Sequence, residues 1–362
     1  MSTERMTHTR SWRVGLIGFG LSGAAFHAPL IGVTPGLVLT AIVTSDASRR
    51  EQARRTYPSA RVVADTSELF NASDIDFAVI ASPNRTHIPL AIEALTAGLH
   101  VVVDKPFAAS VADAERAIEE ARQRKKLLTV YQNRRWDGDF LTLRKLIATG
   151  RLGRVLRFES RFSRWRPVPQ GGWRLLDAPE EAGGLLFDIG THLIDQALLL
   201  FGPVTSVYAE LDRRRTGVKV DDDSFVALRH ASGVRSHLWM SALDAQAGPR
   251  FRVLGDGGAY VKFGLDVQEE ELRRGNVPST SSWGEELPER WGSLGTDTDN
   301  EPVRTEAGAY TEFYRLLVAA LSSGGAPPVD PVDAVMTLKI VEAAQRSSAL
   351  EEVVGMSGGG VG

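Results

Sequence analysis

Apolar residues change their rhythm along this chain. In the first third they come as short unbroken runs: Val14–Ile17, Leu37–Val43, Asp76–Ala81, His100–Val103 and Leu127–Tyr131, with Arg61–Ala64 as a further short candidate. Runs of this length with turn residues at their ends read as buried strands. Between them apolar positions recur at helical spacing. One such set is Ala24, Ala25, Phe26, Leu30 and Ile31; others are Ile88–Ala97, stopping at Gly98, and Val111–Arg124. Strands alternating with helices predict a parallel, doubly wound α/β sheet. The second half differs. Arg154–Phe162 alternates apolar and polar residues, as a half-buried strand does. After Gly202-Pro203 strand candidates follow one another: Val204–Leu211, Ser224–His230, Val234–Ser241, Phe251–Leu254 and Ala259–Phe263. Ala231-Ser232-Gly233 and Asp256-Gly257 are hairpin turn signals. The expectation is an α+β domain with a large, mainly antiparallel open sheet, one face covered by helices. Arg273–Glu306 shows no periodicity and reads as a long loop. Ala309–Leu321 and Asp333–Ser348 read as amphipathic helices. The predicted division is 11–133 for the first domain and 134–350 for the second, with loose tails at 1–10 and 351–362.

Composition narrows the classes. The chain has 362 residues, enough for two cores at about 150 residues per domain. It is 43% hydrophobic and 24% charged, which argues against disorder. A net charge of −3 gives no reason to expect nucleic-acid or membrane-surface binding. No unbroken apolar run reaches the roughly 18 residues of a membrane span, and the polar stretch Met1–Arg10 lacks a signal peptide's apolar centre. A cytoplasmic location is the expectation. There is no cysteine, so disulfides, thiolate catalysis and Cys-based metal sites are excluded, and no metal site is expected.

The candidate chemistry starts at Gly18-Phe19-Gly20-Leu21-Ser22-Gly23, directly after the first strand run. Gly18 allows a tight turn, Gly20 lets a pyrophosphate approach the backbone, and Gly23 lets the next helix pack closely. The helix start offers free N–H groups to phosphate. Such a Rossmann fingerprint, strand before and helix after, points to a dinucleotide. At the end of the second strand an NAD-preferring domain usually places an acid for the adenosine ribose. Here stand Thr44-Ser45, then Asp46, Arg49 and Arg50. Small hydroxyls leave room for a 2′-phosphate and arginine supplies charge, so NADP is favoured. NAD is the alternative if Asp46 turns back to the ribose; Asp46 also suits capping a helix from Ala47. Ser82-Pro83-Asn84, with His87, lies where a strand's carboxyl end meets the cofactor crevice. Asn84 and His87 are cofactor-contact candidates, with helix capping or exposure as alternatives. Asp104-Lys105-Pro106 ends another strand, and Pro106 suits a cis bond.

In the second half, Arg164-Trp165-Arg166 and Trp173-Arg174 make a basic, aromatic loop, either a pocket wall or a solvated loop. Asp188 and His192 stand four residues apart at helical spacing and share a face. Histidine suits proton transfer near neutral pH; a capping Asp188 and a core His192 are the alternatives. Asp195 is expected to orient His192.

Taken in order and spacing, Gly18–Gly23, Ser82-Pro83-Asn84 with His87, Asp104-Lys105-Pro106, and Gly183-Gly184 followed by Asp188–His192 resemble the Gfo/Idh/MocA oxidoreductase family. Gly20–Pro29, Tyr131–Asp137 with Asp139–Thr142, and Gly264–Glu270 are similar to its NADP-dependent scyllo-inositol 2-dehydrogenase subgroup. Two positions depart: Asp104 where many members carry Glu, and Gln132 where the subgroup often has His. The resemblance implies an NAD(P)-dependent dehydrogenase acting on an inositol, polyol or sugar. It implies Lys105, Asp188 and His192 as catalytic groups, and Gln132, Trp173 and Arg174 in the substrate pocket. It extends the cofactor candidates to Phe19, Leu21, Ser22, Asp104, Pro106 and Asn133. It also implies a homo-oligomer built through the second sheet, with Tyr208, Phe225 and Trp239 as candidates for that surface and a core role as the equal alternative. Two other readings stay open. One is an aldose or keto-sugar enzyme of the same family. The other is a nucleotide-binding regulator without turnover, although this chain retains Lys105, Asp188 and His192.

Overall fold

The structure, a computed structural model, describes residues 11–169, 171–278 and 281–356. The expected N-terminal tail, and the end of the chain after 356, lie outside these residues.

The first domain is built as β1 (Trp12–Ile17), α1 (Ala28–Val33), β2 (Leu37–Val43), α2 (Ala47–Thr56), β3 (Arg61–Val63), α3 (Ser67–Phe70), β4 (Phe77–Ile80), α4 (His87–Thr96), β5 (His100–Asp104), α5 (Val111–Arg124) and β6 (Leu128–Tyr131). The strand order is β3-β2-β1-β4-β5-β6, and every pairing is parallel. Order reverses between β1 and β4, so the crevice where ligands bind such sheets opens past Ile17 and Ile80. Central strands are apolar throughout because helices cover both faces: all four residues of β4 are buried. Gly98, with φ of +83°, ends α4 as its sequence position predicts. The helical start after the glycine turn is a wide π-turn over Ser22–His27 rather than regular α-helix.

The second domain adds α6 (Gly138–Ala148), which the apolar spacing did not single out, then β7 (Val155–Ser163), α7 (Thr191–Phe201), β8 (Val204–Asp212), β9 (Asp223–His230), β10 (Arg235–Ser241), β11 (Phe251–Gly255) and β12 (Gly258–Lys262). There follow α8 (Gln268–Arg273), β13 (Gly292–Gly295), β14 (Asn300–Val303), α9 (Thr311–Ser323), α10 (Pro331–Leu350) and β15 (Val354–Gly355). Among the described residues nine strands form one sheet, β14-β13-β12-β11-β7-β10-β9-β8-β15, antiparallel except for the central β7–β10 pair.

Three expectations are corrected here. The stretch 273–306 is not all loop: β13 and β14 extend the sheet edge, too short and too rich in Gly and Pro to show alternation. Residues 351–356 are not a loose tail, because β15 pairs with β8 and closes that edge. The helical stretch Pro179–Phe201 is long and apolar enough in composition to cross a membrane, although no unbroken run revealed it. It is a core helix, mostly buried against the sheet and α10.

Helices α7 and α10 cover one sheet face, where Phe158, Val207, Val226, Leu228, Leu238 and Met240 are buried. Tyr208, Phe225 and Trp239 point to the opposite face and are half-buried. Arg161 lies 3.9 Å over the Trp239 ring there. Helix α10 also packs on α5 and β6, and Thr129 donates to the carbonyl of Val329 at 2.7 Å. The C-terminal helix therefore fastens the two domains on either side of the crevice.

Candidate active site

The glycine turn does what its spacing predicts. Gly18 has φ of +97°, and a Cβ there would stand 2.4 Å from the Ala81 carbonyl oxygen. A Cβ on Gly23 would stand 2.0 Å from the Gly18 carbonyl oxygen. Gly20 is different: its Cβ direction is open, the nearest atom being Arg49 Nη1 at 3.6 Å. Two glycines are required by packing, and the middle one leaves bare backbone facing free space, as a pyrophosphate needs. The residues fit a bound dinucleotide. Phe19 is buried against Tyr57, with ring centres 6.1 Å apart, so it offers only backbone. Leu21 is exposed and lines the cleft with Ser22.

At the end of β2, Asp46 accepts from the Arg49 amide at 2.9 Å and caps α2. Arg50 folds back to donate to the carbonyls of Thr44 at 3.3 Å and Ser45 at 2.6 Å. Arg49 is left reaching toward the glycine turn.

Beyond β4, Ser82 and Pro83 are half-buried beside Gly18. The Asn84 and His87 side chains are engaged within the protein. Asn84 Nδ2 donates to the carbonyls of Glu181 at 3.0 Å and Ala182 at 3.3 Å, tying the domains together. His87 is buried, with its ring nitrogens 2.8 Å from the Pro106 carbonyl and 3.0 Å from that of Ser82. It is a strut between the two turns that flank the crevice.

The Lys105–Pro106 bond is cis. Asp104 accepts from the Lys105 amide at 2.7 Å and from the Ser22 hydroxyl, and its Oδ2 lies 3.6 Å from His27 Nε2. Burial raises its pKa, but His27 and Ser22 outweigh this and hold it at about 2. His27 itself is fully buried, bonded through Nδ1 to the Tyr314 hydroxyl at 2.6 Å, with its ring centre 4.2 Å from that of Tyr131 at a tilt of 46°.

Lys105 Nζ donates to Asp188 Oδ1 at 2.9 Å and to the Asp188 carbonyl. Arg174 Nε donates to the same Oδ1 at 3.3 Å. Burial opposes ionisation of Asp188, yet Lys105 and Arg174 win and hold its carboxyl well below the usual range. Asp188 sits in a π-turn, Leu186–Gly190, which feeds into α7. His192, in the first turn of α7, is 5% exposed. Its Nδ1 lies 3.2 Å from Gln132 Oε1. An amide oxygen only accepts, so Nδ1 carries the proton and Nε2 is left bare. Nε2 makes no hydrogen bond among the described residues. Burial, then the charges of Lys105, Arg134 and Arg250, push the His192 pKa well below its ordinary value.

Two expectations change. Gln132 is buried behind His192 and holds its tautomer instead of lining the pocket. Asp195 does not orient His192: it accepts from Arg135 at 2.6 and 2.8 Å, and Arg135 also reaches Asp333 at 2.9 Å. An i+3 spacing places a residue on a face, but the stronger guanidinium fork took the carboxylate. Trp173 is a platform, with the Arg174 guanidinium 4.3 Å over its ring; Arg174 itself lines the cleft.

These groups share one cleft of about 300 Å³, lined from the first domain by Leu21, Ser22, Lys105 and Asn133, and from the second by Asp188 and His192. Other wall residues carried no assigned role in the sequence. Tyr131 is buried with a hydroxyl that has no partner. Arg134 donates to Asp137 at 3.3 Å and to Glu269. Glu269 also faces Arg164 at 3.4 Å and Arg273 at 2.9 Å. Burial raises the Glu269 pKa, but these arginines outweigh it and bring it to about 2. The detectable signal was the Arg134-Arg135 pair directly after an apolar strand, a position where a charge needs a partner.

Comparison with known proteins agrees with this arrangement. Residues 12–132 match the model of the oxidoreductase family with an NAD-binding Rossmann fold, and 140–261 match the GFO/IDH/MocA C-terminal domain. The chain is 34% identical over 340 residues to the scyllo-inositol 2-dehydrogenase (NADP(+)) IolW of Bacillus subtilis, covering 93% of each. It is 40% identical over 334 residues to the uncharacterized oxidoreductase YdgJ of Escherichia coli, covering 91% of this chain and 94% of that protein. The solved structure of yvaA from Bacillus subtilis superposes with a TM-score of 0.91 at 32% identity, over 96% of this chain and 99% of that one. With a glycine turn shaped for a dinucleotide and a lysine, carboxylate and neutral histidine gathered in the cleft beside it, the chain belongs to the Gfo/Idh/MocA family of NAD-binding oxidoreductases.

Proposed function

We propose that the chain is an NADP-dependent dehydrogenase that interconverts a secondary alcohol of a cyclic polyol or sugar with its ketone, an inositol such as scyllo-inositol being the first candidate. The observation that carries this reading is the bare Nε2 of a neutral His192 in the same cleft as the Lys105 ammonium. When bound, the nicotinamide supplies the hydride acceptor or donor. The chain's own residues do the rest. His192 Nε2 takes the hydroxyl proton in oxidation and returns it in reduction. Lys105 has three N–H donors and spends two on Asp188. The third is free for the reacting oxygen, where it stabilises developing negative charge. Asp188 holds that ammonium in place and accepts from a neighbouring substrate hydroxyl. Asn133 and Tyr131 supply further polar contacts to the cleft.

Thr44, Ser45 and Arg49 favour a 2′-phosphate, and the engagement of Asp46 in capping α2 supports this reading. The name of IolW supports both the cofactor and the substrate class. We further propose that a second copy covers the outer sheet face carrying Tyr208, Phe225 and Trp239, giving a homo-oligomer; sedimentation as a monomer at micromolar concentration would remove that assignment.

The test follows absorbance at the reduced-nicotinamide band with NADP or NAD and a panel of scyllo-inositol, myo-inositol, glucose and xylose. NADP reduction with an inositol is expected, and Arg49→Ala should weaken NADP more than NAD. A preference for NAD overturns the cofactor assignment. Turnover of aldoses alone moves the substrate to the sugar branch.

A further inference from the structure

A second cavity of about 230 Å³ opens beside the cleft. The two share Arg164, Arg166, Arg174, Asp188 and Ile189 as a common wall. All residues lining this cavity lie between positions 164 and 242, so it belongs wholly to the second domain and stands away from the glycine turn.

Its charge is out of balance. Arg166 makes no side-chain hydrogen bond or ion pair among the described residues. Arg174 uses only Nε, on Asp188, and its terminal nitrogens are unspent. Arg164 has a single distant carboxylate contact, Glu269 at 3.4 Å. That carboxylate already serves Arg134 and Arg273, just as Asp188 already serves Lys105. Burial, followed by the like charges of Arg166 and Arg134, lowers the Arg164 pKa, with Glu269 opposing. The cavity's own lining has four arginines, Arg164, Arg166, Arg174 and Arg215, against Asp188 and Asp221. Arg215 is already paired with Asp222 at 2.9 Å, and Asp221 accepts from the Ser224 hydroxyl and the Leu186 amide, both at 2.7 Å. Gathering guanidinium groups against their own repulsion costs free energy that an anion returns, because planar forks pair with carboxylate or phosphate oxygens two bonds at a time.

We propose that this side cavity is an anion subsite, in which Arg164, Arg166 and Arg174 receive a carboxylate or phosphate substituent of the substrate. Among cyclic polyols and sugars, one that carries such a group is then bound more tightly than its neutral counterpart. The inference rests on the dehydrogenase reading only for where the reacting carbon sits, between Lys105 and His192. The anionic group extends from there past Asp188.

Calorimetric titration of the full chain with glucose, glucuronate and glucose 6-phosphate tests it directly. At least one anion should bind about tenfold or more tightly than glucose, the range of one charge-assisted contact. The arm that wins identifies carboxylate or phosphate. Arg166→Gln should weaken the anion at least about fivefold more than the neutral sugar, and the anion's affinity should fall with ionic strength while glucose's does not. Equal affinity for all three, or an anion preference untouched by Arg166→Gln and by Arg164→Gln, overturns the subsite. The same samples read with NADP separate the two readings. Anion preference in binding without nicotinamide reduction by any compound leaves the subsite and removes the dehydrogenase. Turnover of neutral polyols without anion preference does the reverse.

Discussion

The two walls of the cleft are made differently. On the nucleotide side the work is done by backbone: a turn that only glycine fits at Gly18 and Gly23, and bare peptide at Gly20. On the substrate side it is done by side chains brought from far apart: Lys105 after β5, Gln132 after β6, Arg164 after β7, Asp188 before α7, His192 on α7, Glu269 on α8. A backbone device is local, so it survives as a short motif. A side-chain device is a meeting of distant segments, so each part looks ordinary until the fold assembles it.

The sharpest way to break this contrast is on the substrate wall. His192→Ala and Lys105→Ala should each lower turnover by about 10²–10⁴, the typical worth of positioned proton transfer. NADPH affinity, read by nucleotide fluorescence, should hold within about threefold. A variant that keeps wild-type turnover removes that residue from the chemistry.

Next in size is the pair behind the site. Arg135 and Asp195 are both about nine-tenths or more buried and bonded through two nitrogens. Burial raises the Asp195 pKa even with Arg135 beside it. Arg135→Leu leaves that carboxylate uncompensated and should cost about 3–5 kcal/mol in chemical denaturation. If Asp195 instead served His192, Asp195→Asn would reshape the pH profile of turnover; here it should register in stability.

The nucleotide wall offers a matched pair. Gly23→Ala drives a Cβ into the Gly18 carbonyl and should cost about 1–3 kcal/mol of stability. Gly20→Ala meets open space and should leave the melting temperature within about a degree or two while weakening NADPH about tenfold. Equal effects of the two on stability would mean that Gly20 is a packing glycine.

How much could be read beforehand follows the same division. The parallel sheet was legible because each buried strand is an uninterrupted apolar run with a helix after it; β4 is apolar at all four positions. The hairpins of the second sheet were legible from Ala231–Gly233 and Asp256-Gly257. Strands β13 and β14 were not, because four residues such as Asn300–Val303, with an inserted proline, carry no alternation. Within the site, Lys105, Asp188 and His192 stood out through a resemblance of motifs. The direction in which a side chain spends its hydrogen bonds did not. Asn84, His87, Gln132 and Asp195 were expected to serve the site, yet each faces a partner in the protein. Sequence position says which residues are neighbours of a site; only packing says which way a polar group is turned.

The most specific effect lies behind the histidine. Gln132 touches the chemistry only through His192 Nδ1. Replacing it with leucine keeps the volume and removes the acceptor. The imidazole is then free to turn or to take the other tautomer, which blocks Nε2 with a proton. Turnover should fall about tenfold to a hundredfold, the cost of misplacing a reacting group, with KM changed little. The pH profile distinguishes this from loosened packing. In the wild type, burial and neighbouring cations keep His192 neutral, so kcat/KM should stay level down through pH 6.5 and drop only below it, where the depressed folded pKa lies. Stability follows the same sign. Below about 6.5 the unfolded chain binds a proton that the folded histidine refuses, so this contribution is lost as pH falls. Gln132→Leu should alter the acid limb, and Gln132→His, which again places a ring nitrogen opposite Nδ1, should restore part of the turnover. An acid limb at or above 6.5 in the wild type would mean that the folded pKa of His192 is not depressed, and the account of its neutral state from burial and neighbouring cations would fall.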